Sequence, residues 1–140
     1  MHTWISNRSG ALFGIGLGCW IFLAGAGEGP GPGNPDAVRR HAEAMVKAGG
    51  EMVKQSAEGQ LAGVIEQAHH LIANGKAAID AVPFPGNQHA RDTAEHVSEA
   101  MSQAESAITH AEQGHQDVVK THAGKAMAQA RRALSHARAL

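Results

Sequence analysis

Apolar residues recur with a helical beat in four stretches of this chain. Val38, Ala42, Met45 and Met52 follow one another at spacings of four, three and seven, with Val53 beside them, and so share one helical face. A second stretch carries Leu61, Val64, Ile65, Ala68, Leu71, Ile72 and Ile79. A third carries Ala90, Ala94, Val97, Ala100, Met101, Ala104, Ile108 and Ala111. The fourth runs through Val118, Val119, Ala123, Ala126, Met127, Ala130, Ala133, Leu134 and Ala137. None alternates as a strand would, so the pattern predicts four amphipathic helices.

The punctuation between the stretches fits. Asn34-Pro35-Asp36 reads as a helix start: Asn caps, Pro suits the first turn, and Asp complements the dipole. The first helix runs to Ala57, with Gly49-Gly50 as a weak spot inside it. Gly59 breaks the pattern, and the second helix runs to Val82. Pro83-Phe84-Pro85-Gly86 stops it, Asn87 caps the third helix, and Gly114 separates the third from the fourth.

The two halves repeat at an offset of 55. His41 falls on His96, Gly59 on Gly114 and Val64 on Val119. Ala68, Ala73 and Ala78 fall on Ala123, Ala128 and Ala133. The expected fold is all-α: an antiparallel four-helix bundle made of two duplicated αα-hairpins.

Composition narrows what such a bundle can do. At 140 residues it is one domain, and a net charge of −1 leaves no footprint for nucleic acid. Aromatic residues are 4%, too few to line a large aromatic pocket. Residues 1–26 read as a signal peptide: Arg8 with the amino terminus, an apolar run from Ala11, and Ala24-Gly25-Ala26 before the cut. A retained anchor is the alternative, although the run is short for a membrane span. Lipidation at Cys19 is disfavoured, because no Leu stands three residues before it. Residues 27–34 form a Gly/Pro linker, and residues 35–140 the bundle. The expectation is an exported monomer, periplasmic or otherwise, with no stable membrane insertion after cleavage. Removing Cys19, the one cysteine, leaves no thiol, so any metal site rests on imidazole and carboxylate.

Histidine supplies the candidate chemistry. The chain has ten, and six keep a beat of seven in the second half: His89, His96, His110, His115, His122 and His136. Gln103 and Gln129 fill the missed beats. A step of seven drifts by only about 20° on a helix, so each trio forms a stripe. Stripe neighbours lie about 10.5 Å apart along the axis, too far for one ion, so the stripe implies several sites. His96 has Asp92 and Glu99 within reach on its own helix, and Glu66 stands near His69 and His70. His41 has Met45 one turn on, an N/S pair for a soft ion. Folding about Gly114 brings His110 to His115, His89 to His136 and His122 to Gln103. The halves differ here, because His110, His115 and His122 fall opposite Gln55, Gln60 and Gln67. Each cluster offers two or three ligands, which predicts modest affinity, with Cu(II) first among divalent ions.

Against this stand ordinary readings. A lone surface His needs no ligand, the methionines sit at core spacing as gap-fillers, and carboxylates near His form routine pairs. The phased repetition is what favours metal. No H-E-x-x-H, G-x-S-x-G or P-loop is present. Glu66-Gln67-Ala68-His69 is a single E-x-x-H without the second copy that a di-iron enzyme needs.

The segments Gly86-Asn87-Gln88-His89, Ala107-Ile108-Thr109-His110-Ala111-Glu112-Gln113-Gly114-His115 and Val119-Lys120-Thr121-His122-Ala123 resemble the small metal-binding protein family, exported His-rich four-helix bundles associated with copper. The likeness is strongest from Gly86 to Leu140. It implies a periplasmic, non-catalytic protein that stores, buffers or delivers several copper ions, with zinc or nickel as alternatives. It would carry the family's histidines onto His89, His96, His110, His115, His122 and His136. Gln at 55, 60, 67, 103 and 129 departs from that pattern and lowers the expected capacity. The competing expectation is a structural or interaction bundle whose histidines are incidental.

Overall fold

The computed structural model describes residues 33–83 and 86–140. Four helices follow in order: α1 Pro35–Ala57, α2 Leu61–Ala81, α3 Gln88–Glu112 and α4 Gln116–Ala137. Each packs on its two neighbours around a square, α1 on α2 and α4, and α3 on α2 and α4. This is the four-helix bundle that the periodicity predicts. The proposed signal peptide, most of the linker, Cys19 and Phe84-Pro85 of the stop lie outside the described residues. Among the described residues no helix is long and apolar enough to cross a membrane.

Local sequence explains the ends. The Asn34 side chain accepts the Ala37 N–H at 3.0 Å, and Pro35 opens α1. Asn87 accepts the His89 N–H at 2.9 Å at the start of α3. Gly59 and Gly114 each adopt φ +75°, a conformation that costs an L side chain roughly 1–2 kcal/mol.

The core is thin. Most of its buried residues are alanines, and its bulk comes from Met45, Met52, Leu71, Val38, Val64, Val97 and Val119. Small residues let the helices approach closely. Gly49, expected as a weak spot, is instead a contact point between α1 and α4. A methyl group there would stand 3.1 Å from the Met127 Cα. Helix α1 runs unbroken through it because packing outweighs the roughly 1 kcal/mol that glycine costs a helix. Close packing of α3 on α4 in turn brings the side chains along their outer seam into contact.

Candidate metal centre

The seam begins at the Gly114 turn. The His115 N–H donates to the His110 carbonyl at 2.9 Å, and the Gly114 N–H to the Ala111 carbonyl at 3.1 Å. This is a Schellman motif, whose third-last helical residue and second following residue ordinarily meet through an apolar contact. Here both are histidines. Their Nδ1 atoms stand 3.4 Å apart. Two metal–nitrogen bonds of about 2.0–2.1 Å at a tetrahedral angle need donors about 3.3–3.4 Å apart. The turn backbone therefore sets two imidazoles at the bite of one ion.

The far end of the seam reaches the same spacing by tertiary packing. His89, in the first turn of α3, meets His136, in the last turn of α4, again with Nδ1 atoms 3.4 Å apart. Asp92 adds a carboxylate oxygen 3.6 Å from the His136 Nδ1. Gln88 donates to the other Asp92 oxygen at 2.6 Å, which orients the carboxylate. His89, Asp92 and His136 have ligand atoms all within 4.8 Å of one another, the sole such trio of His, Cys, Asp or Glu among the described residues. His136 and Asp92 are 31% and 25% exposed, open to an ion yet partly shielded from water.

The two ends are related by a local two-fold. His89, His96, Gln103 and His110 of α3 correspond to His115, at the cap of α4, and to His122, Gln129 and His136 within it. His96 stacks on His136 with ring centroids 5.4 Å apart, and His122 stacks on His110 at the same 5.4 Å. Between the ends lie two rungs. In one, His122 Nδ1 meets Gln103 Oε1 at 2.8 Å, so Nδ1 carries the proton and Nε2 is left for another partner. In the other the bond is not made: His96 Nδ1 and Gln129 Oε1 are both buried without a partner. An unsatisfied buried polar atom costs roughly 1–3 kcal/mol, so this rung holds unspent donor capacity. Burial, then His110, then Lys125 hold the His122 pKa below the ordinary 6.5.

The remaining candidates are scattered. His41 Nδ1 pairs with Asn74 Oδ1 at 3.2 Å, and Asn74 is fixed by donating to the His70 carbonyl at 2.9 Å. Met45 is fully buried in the core, so the surface N/S pair with His41 does not form. His70 stands 3.9 Å from Glu66, both largely exposed, and His69 points to solvent. Such exposed pairs contribute little. The expected Asp92–His96–Glu99 grouping is split. Asp92 reaches across the seam to His136, because the carboxylate lies nearer to α4 than to its own neighbour four residues on. Glu99 stays 3.8 Å from His96, beyond hydrogen-bond reach.

Three side chains beside the histidines were not read as site residues from the sequence: Gln88 and Lys125 of the α3/α4 hairpin and Asn74 of α2. Asn74 had a signal, since it stands 55 residues before Gln129 and makes the rung its mate leaves open. Gln88 and Lys125 had none, because only the folded hairpin shows what they face. No family model matches this chain, and no curated protein matches it at a significant level.

Proposed function

We propose that this protein is an exported, non-catalytic binder of several copper or other divalent transition-metal ions, serving storage, buffering or delivery, as in the small metal-binding proteins its second half resembles. The reading is carried by one observation: His89 and His136, with Asp92 beside them, hold three ligand atoms within 4.8 Å. The second imidazole pair at the Gly114 turn, with the same 3.4 Å spacing, supports it. Imidazole and carboxylate without thiolate give a site that suits Cu(II) best and also admits zinc and nickel. Two or three protein ligands leave coordination positions to water or to a receiving partner, which suits reversible loading. Zinc and nickel compete through the same nitrogens.

The test is native mass spectrometry of the purified bundle titrated with Cu(II). At least two ions should bind per chain, and His89→Gln with His136→Gln should remove one of them. No bound ion in the intact protein would leave a structural or interaction bundle with incidental histidines. Circular dichroism of the metal-stripped chain should still show a cooperative helical melt, because the apolar core does not depend on an ion.

A further inference from the structure

The local two-fold of the seam matches the imidazoles but not the side chains that stand against them. His89 and His136 at one end superpose in role on His115 and His110 at the other, and His96 on His122. The residues between do not match. Asp92 corresponds to Val118, and Glu99 corresponds to Lys125. One end therefore sets a carboxylate 3.6 Å from the His136 Nδ1 and another 3.8 Å from the His96 Nδ1. The other sets an exposed valine in place of the first and a lysine in place of the second. Resting on the metal-binding reading above, we propose that the two ends sort copper by charge: the His89–Asp92–His136 end holds Cu(II), and the His110–His115 end holds Cu(I).

The argument is electrostatic and chemical. The attraction of a carboxylate and the repulsion of an ammonium both double when the ion carries two charges instead of one. The Asp92 end therefore favours the divalent ion more than the monovalent one, and the Lys125 end does the reverse. Ligand hardness points the same way. Carboxylate oxygen is a hard donor that adds affinity for Cu(II) and little for the softer Cu(I). Cu(I) accepts few ligands, so the imidazole pair that the Schellman turn supplies serves it without a third, charged donor. With both oxidation states present, Cu(II) collects where a carboxylate oxygen stands against the imidazole pair and Cu(I) at the pair that has none so close.

The experiment uses the full chain and two ion probes. Cu(II) binding is followed by electron paramagnetic resonance. Cu(I) binding is followed anaerobically against a chromophoric Cu(I) chelator. His89→Gln with His136→Gln should remove the tightest Cu(II) site and leave the tightest Cu(I) site in place. His110→Gln with His115→Gln should do the opposite. Asp92→Asn should weaken the tightest Cu(II) site by about tenfold while changing Cu(I) affinity far less, and it leaves every imidazole intact. Lys125→Glu should narrow the Cu(I) preference of the turn end. If both double variants lose Cu(I) and Cu(II) in the same proportion, the sorting is overturned while metal binding stands. If the native chain takes neither ion, both readings fall together.

Discussion

At Gly59 and at Gly114 the chain turns with the same φ of +75° and the same capping bonds, Gln60 N–H to the Gln55 carbonyl and His115 N–H to the His110 carbonyl, each 2.9 Å. The two hairpins differ in what those backbones carry. Along the α1/α2 seam stand His41, Ala48, Gln55, Gln60, Gln67 and Asn74, and their repeat mates in α3/α4 are His96, Gln103, His110, His115, His122 and Gln129. One rung of the first seam is even the better made, since His41 and Asn74 are bonded where His96 and Gln129 are not. The contrast teaches that the scaffold brings the side chains together whatever they are. Ligand chemistry is then a matter of which seam positions hold imidazole.

The sharpest break of this comparison is in capacity. Replacing His110, His115 and His122 together by Gln should abolish copper binding at the Gly114 end. The same treatment of His41, His69 and His70 should leave most bound ion in place. Equal losses, counted by native mass spectrometry, would show that the asymmetry between the hairpins is irrelevant. The reverse exchange comes next. Gln55→His with Gln60→His puts imidazoles on the first Schellman turn, and the doubly substituted chain should gain about one copper ion. No gain would mean that the turn backbone alone does not make the pair.

A smaller effect tests the shared backbone. Gly59→Ala and Gly114→Ala each force an L side chain to positive φ, at a cost of roughly 1–2 kcal/mol seen in thermal melts. At Gly114 the added methyl meets nothing within 4 Å, so strain is its whole effect. At Gly59 it also meets the flexible Gln116 amide at 3.0 Å. Only Gly114→Ala should in addition weaken copper binding. The smallest effect is a pH dependence of the apo bundle. The lowered pKa of His122 means that the folded state favours the neutral ring. Its contribution is complete above the ordinary value of 6.5 and is lost as pH falls through the depressed folded value. His122→Gln should flatten the decline in melting temperature between about pH 7.5 and about pH 5. An unchanged slope would place the titration elsewhere.

Much of this was legible in the sequence. The helix ends follow from Asn34, Asn87, Gly59 and Gly114. The pairs His89–His136, His110–His115 and His122–Gln103 follow from folding a hairpin about Gly114, since partners equidistant from a turn must meet. What stayed hidden depended on neighbours outside the helix in view. Gly49 reads as a weakness until Met127 is seen against it. Asp92 has His96 one turn away on its own helix, and only the packing of α4 reveals that His136 draws it instead. Met45 shares a helix with His41 but points into the core.

The two imidazole pairs differ most in how much chain separates their members: five residues at the Gly114 turn and 47 at the far end. The first pair is set within a single turn, by bonds local to it. The second exists only when the whole hairpin has closed. An ion bridging His89 and His136 is therefore a cross-link that opposes opening of the long loop, and its binding energy adds to the stability of the folded state. An ion at the turn constrains almost nothing. On the metal-binding reading proposed above, loosening the α3/α4 hairpin would release the ion at the far end and keep the one at the turn.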